Sequence, residues 1–185
     1  MYLGISPIVI IIMTLQLIRV MQDNQTLKKE YAKISTTGNN LMATLNAGQK
    51  IEHIKLADLQ GQAQEFPKTN QNTLIFVFST NCPACQKNAE NWSKIYSKID
   101  KSKFYTLGLS ISPKEATRSF ASSKNFNFPV ISLEGNEQYK QTLKLNRYPQ
   151  TILVNASGTI EKIWIGILKP ELYPEIGKAF NIQLF

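Results

Sequence analysis

Two cysteines, Cys82 and Cys85, stand on either side of Pro83 and Ala84, and they are the only cysteines in the chain. A sulfur at the first position can attack a disulfide. A second sulfur one helical turn later can then displace the bound partner by closing an intramolecular disulfide. The context favours this chemistry over the other uses of such a pair. Thr73 to Ser79 (Thr-Leu-Ile-Phe-Val-Phe-Ser) is a continuous apolar run of the kind found in strands buried on both faces, and Cys85 to Lys98 has helical spacing at Ala89, Trp92, Ile95 and Tyr96. The pair thus falls at a strand-to-helix junction. There, unpaired N–H groups and the helix dipole stabilise a thiolate at Cys82. Two structural thiols, or half of a metal site, are the alternatives. A closed tetrahedral zinc site needs four ligands, and the single histidine, His53, reads as an ordinary strand residue. No metal or cofactor is expected.

The elements that must position this pair alternate. Ile51 to Leu59, ahead of Gly61, reads as a short extended segment and turn. Phe104 to Ile111 and Val130 to Leu133 are strand-like. Pro113 to Lys124, Glu137 to Leu145 and Pro170 to Phe180 read as helices, and Thr151 to Val154 with Ile160 to Gly166 as a hairpin turned at residues 155–158. This order implies an α/β domain with a mixed central sheet covered by helices. Trp92 and Trp164 are expected in the core or on a sheet face.

The chain has 185 residues, 43% of them apolar and 18% charged, which suits one folded domain and excludes disorder. Between Leu3 and Ile18 the only polar side chains are Ser6, Thr14 and Gln16, so a helix here is apolar on every face. We therefore expect a membrane anchor over residues 1–21, a linker or frayed helix over 22–45 and the folded domain over 46–185. No basic residue precedes the apolar run and no small-residue cleavage site follows it, so the anchor reads as uncleaved. The formal charge of +8 fits a site beside anionic lipid. The lysines form no block and no nucleic-acid motif accompanies them, so no nucleic-acid partner is expected.

Over residues 46–180 the sequence resembles the thioredoxin superfamily, most closely the membrane-anchored TlpA-like and ResA-like thiol–disulfide oxidoreductases of the redoxin group. The resemblance rests on the Gly48 to Gly61 opening segment, Leu74 to Cys85, the insert after the first long helix, and Tyr148-Pro149-Gln150-Thr151 followed by a hairpin at Gly158. It implies a thioredoxin-like fold with Cys82 and Cys85 as the redox pair. It further implies a cis Pro149 against the disulfide and a backbone at Tyr148 that pairs with an extended substrate. Asn81, Pro83 and Arg147 are auxiliary candidates. The implied partners are protein thiols or disulfides and a membrane thiol reductant, with the domain on the extracytoplasmic side. One feature opposes that side: Arg19, Lys28, Lys29 and Lys33 all follow the apolar run, a bias that leaves the following domain cytoplasmic.

The chain also departs from the family pattern. Asn81 replaces the frequent Trp before the first cysteine, giving a more polar rim. Phe76 stands where thioredoxin has a buried Asp, Asn88 where ResA-like proteins have a Glu, and Glu90 where a helix-kinking proline is usual. Glu90 lies about 80° around the helix from Cys82 and reads as a solvated residue. Ser79 stands three residues before Cys82, where a peroxiredoxin carries Thr, which disfavours peroxide reduction. The expected role is reduction of exported-protein or apocytochrome cysteines. The rivals are a non-catalytic binding or chaperone module and a copper-handling dithiol, the latter weakened because no histidine follows Cys85.

Overall fold

The computed structural model describes residues 13, 15–29 and 45–184, which belong to two units. In the first, residues 15–29 form helix α1, with every side chain exposed and the Thr26 hydroxyl donating to the Gln22 carbonyl. The helix therefore continues past Met21 into the segment read as a linker or frayed helix. The rest of that segment, 30–44, and most of the expected anchor, residues 1–12 and 14, lie outside the described residues. Among the described residues no helix is long and apolar enough to cross a membrane.

The second unit is built on a five-stranded sheet of order β5-β4-β3-β6-β7. Its central strand β3 (Asn72–Phe78) runs parallel to β4 (Phe104–Ser110) and antiparallel to β6 (Gln150–Val154). Beyond these, β5 (Val130–Ser132) pairs parallel with β4, and β7 (Ile160–Ile165) antiparallel with β6. This is the mixed sheet the sequence implies. Every β3 residue except Asn72 is buried, as its unbroken apolar run requires of a strand covered on both sides.

Alternation along the strands sorts the core into two layers. Leu74, Phe76 and Phe78 face one layer, shared with helix α2 (Pro83–Lys98), helix α3 (Lys114–Ser123) and helix α5 (Tyr173–Phe180). Ile75 and Val77 face the other, which is closed by Leu143, the residue that ends the short helix α4 (Glu137–Thr142), and by Ile54 and Phe66 of a separate hairpin.

That hairpin pairs β1 (Ile54–Ala57) with β2 (Ala63–Phe66) and corrects the sequence reading. Only four residues of the 51–59 segment are strand; His53 lies just outside it, exposed, and β2 went unread. Asp58, 5% exposed, accepts from Gln60 N, Gln62 N and Gln64 Nε2 and so ties the turn together. Upstream, Gly48 N donates to Ile160 O, Ile160 N to Gln49 O and Ile51 N to Gly158 O, which joins the leading segment to the β6–β7 hairpin. Gly158 has φ +82°, and a Cβ there would meet Ile51 O at 3.3 Å, so this junction requires glycine. Two expected helices are shorter than read: α4 stops at Thr142, and residues 170–172 form a 3-10 turn ahead of α5.

Candidate active site

The β3–α2 junction presents the cysteine pair. Cys82 is the N-cap of α2, with extended backbone (φ −96°, ψ 111°), and Pro83 opens the first turn, where its missing N–H costs nothing. The Cys82 sulfur accepts from the Cys85 backbone N–H at 3.1 Å, taking the place a Ser or Asp oxygen fills in an ordinary cap. No acidic residue lies in the first turn of α2. Once the pair is reduced, this N–H and the helix dipole both favour thiolate at Cys82.

The two sulfurs form a disulfide, with Cα atoms 5.2 Å apart. They are not equivalent. Cys82 is 9% exposed and Cys85 fully buried, so an incoming disulfide can approach only the first.

The loop before Cys82 is held from beneath by hydroxyls at the carboxyl ends of the parallel strands. The Ser79 and Ser112 hydroxyls lie 3.2 Å apart, Thr80 N donates to Ser112 Oγ at 3.0 Å, and Ser112 N donates to Ser110 Oγ. Thr117 Oγ1 donates to Ser110 Oγ at 2.7 Å and Ser132 Oγ to the Ser112 carbonyl at 2.8 Å. Ser79 O in turn accepts from Cys82 N.

On the other side of β3, Val77 is opposite Gln150, which brings the start of β6 beside the β3–α2 junction. The Tyr148–Pro149 peptide there is cis, as the resemblance implies. Pro149 is buried, Arg147 and Tyr148 are exposed, and the buried Gln150 donates from Nε2 to the Arg147 carbonyl. Trp92 Nε1, fully buried, donates to Thr151 Oγ1 at 2.8 Å, so one side chain fixes α2 to the strand that carries Pro149. The sequence candidates Cys82, Cys85 and Pro149 thus meet at one end of the sheet, with Asn81, Pro83, Arg147 and Tyr148 at its exposed rim.

The places of the two missing family acids are filled in different ways. Phe76 is fully buried and stacks on Trp92, with ring centroids 5.2 Å apart, so packing occupies the thioredoxin Asp position. Asn88, also fully buried, accepts at Oδ1 from Leu168 N (2.9 Å) and from Asn91 Nδ2 (3.0 Å), and Asn91 Nδ2 also donates to the Leu168 carbonyl. Two helix side chains therefore serve the Leu168 backbone as a strand partner would. Glu90 is exposed and pairs with Lys94 at 2.9 Å; that hydrogen bond and charge hold its carboxyl below the usual carboxylate range. Sequence reading missed the Asn88–Asn91 latch, Gln150 and the hydroxyl cluster. The one available signal was a run of small polar residues at strand ends, which also fits ordinary turns.

Comparison with known proteins agrees with this geometry. Sporulation thiol-disulfide oxidoreductase A of Bacillus subtilis is 24% identical over 121 residues, spanning 63% of this chain and 73% of that protein. Thiol-disulfide oxidoreductase ResA of Halalkalibacterium halodurans is 23% identical, over 70% of this chain and 74% of that protein. Peroxiredoxin Q of Populus jackii is 24% identical over 74% of this chain and 68% of that protein. The thioredoxin domain of a Bacteroides vulgatus thiol-disulfide oxidoreductase superposes with a TM-score of 0.63 at 20% identity, covering 75% of this chain and all of that one. The fold is therefore thioredoxin-like. The AhpC/TSA family model matches residues 47–163, and the chain belongs to the AhpC/TSA family.

Proposed function

We propose that the protein is a thiol–disulfide oxidoreductase that reduces disulfides in other proteins through Cys82 and Cys85. The observation that carries this reading is the asymmetry of the pair, a helix-capping outer sulfur backed by a fully buried inner one. In the reaction the Cys82 thiolate attacks one sulfur of a client disulfide; that S–S bond breaks, and the departing client thiolate takes a proton from water. The Cys85 thiolate then attacks Cys82 Sγ, forming the internal disulfide and releasing the second client thiolate. The client gains two electrons and the pair loses them, and a membrane thiol reductant returns them. Neither the N–H nor the C=O of Tyr148 has a hydrogen-bond partner among the described residues, which supports docking of an extended client segment there. Tethering by residues 1–21, an extracytoplasmic site and clients among exported or apocytochrome cysteines belong to the same proposal and follow from the apolar N-terminus and the resemblance.

Peroxide reduction fits less well, because Ser79 is buried and its hydroxyl is engaged with Ser112. The test is a Cys85→Ser variant, which cannot release its partner, expressed with its membrane intact. Exported proteins recovered as mixed disulfides on Cys82 support the proposal. Insulin reduction that survives Cys82→Ser overturns it, and rapid peroxide consumption by the wild type with no protein disulfide exchange turns the assignment to the peroxidase branch.

A further inference from the structure

Among the described residues, three buried side-chain atoms have no hydrogen-bond partner: Thr106 Oγ1, Trp164 Nε1 and Asn88 Nδ2. Of their residues, only Asn88 shares an element with the reacting sulfurs. It follows Cys85 by three residues on α2, a spacing that makes the two neighbours on one helix face, and both are fully buried. Its amide is oriented by what holds Oδ1. That oxygen is drawn toward Asn91, one turn further along the helix, and toward the Leu168 N–H. With Oδ1 held by these two donors, Nδ2 is the end of the amide left without a partner, on the helix face that Asn88 shares with Cys85.

In the disulfide state this donor is left over, and an unpaired buried donor is costly. Cys85 has the complementary deficit in the reduced state. A fully buried thiolate without a donor is disfavoured by desolvation, which raises the thiol pKa and starves the resolving step of its nucleophile.

We propose that Asn88 Nδ2 is the hydrogen-bond donor to the Cys85 sulfur in the reduced protein, and that it keeps the resolving cysteine ionisable in the absence of a buried acid. This rests on the redox reading above and deepens it. The bond forms on reduction and is lost when Cys85 attacks Cys82 and its sulfur charge is consumed.

The test titrates Cys85 in the reduced full-length chain by the NMR shift of its Cβ. Asn88→Asp keeps the Oδ1 acceptor and replaces the donor with an oxygen, whereas Asn88→Leu removes both. We expect Cys85 to titrate about one pH unit higher in each variant, a roughly tenfold loss of thiolate at a given pH below the pKa. Asn91→Ala, which weakens the latch and spares the donor, is expected to titrate with the wild type. Should the Leu variant fail to fold, the Asp variant carries the comparison. An Asn88→Asp chain that titrates with the wild type, or an Asn91→Ala chain shifted as far as Asn88→Asp, overturns the inference. A wild-type pair that does not cycle between dithiol and disulfide with glutathione is a different failure and removes the proposed function itself.

Discussion

On one face of the central sheet Phe76 stacks on Trp92 and Phe78 on Phe120, with Phe126 and Phe128 completing an aromatic cluster. The opposite face is mainly aliphatic, built from Ile75, Val77, Leu107, Leu109, Ile131, Ile152 and Val154. The aromatic face carries α2 and hence the cysteines, and the buried Trp92 ring N–H reaches across to Thr151, two residues beyond Pro149. Flat rings with one polar handle fix the orientation of a helix more tightly than branched aliphatics do. The comparison thus separates a face that sets the geometry of the sulfur pair from a face that supplies burial alone.

Trp92→Ala is expected to show the largest effect. It should cost about 3–5 kcal/mol in urea unfolding and abolish disulfide exchange even where the chain stays folded, because α2 loses its tie to β6. Gly108→Ala comes next. A Cβ at Gly108 would lie 3.3 Å from both Phe78 and Val130 and 3.4 Å from Phe128, so about 1–3 kcal/mol of overpacking is expected, again on the aromatic face and again with slower exchange. Ile152→Val, on the aliphatic face, should cost about 0.5–1.5 kcal/mol and leave exchange kinetics unchanged. A slowed exchange there would erase the distinction between the faces.

A similarly small effect at neutral pH is expected at Tyr105, which packs on the aliphatic side and donates to Gln64 Oε1 at 2.6 Å. Burial, reinforced by the charge of Asp58, pushes its hydroxyl up to about 12 from 10.0. Because the folded value is the higher, this contribution to stability is complete below pH 10 and is lost as the pH rises toward about 12. Tyr105→Phe should remove that alkaline slope in a pH series of unfolding curves, at a cost of about 1 kcal/mol near neutrality for the lost hydrogen bond.

Much of the aromatic face was legible in the sequence. β3 is an unbroken apolar run, α2 repeats Ala89, Trp92, Ile95 at helical spacing, and the Cys82–Cys85 pair sits between them. The β1–β2 hairpin was half legible. β2 reads Ala-Gln-Glu-Phe with mostly outward-facing side chains, so no alternation marks it, and its place is fixed by the Asp58 hydrogen bonds. Asn88 and Asn91 were illegible for another reason. Asparagines on a helix look solvated until the chain returns Leu168 against them, a contact about eighty residues distant in sequence.

The leading segment has a mechanical consequence. Tension on the chain from upstream of residue 45 first meets the three backbone hydrogen bonds between residues 48–51 and 158–160. They share that load before any of it reaches β3 or the cap at Cys82. The sulfur pair is in this way insulated from pulling on the N-terminal side.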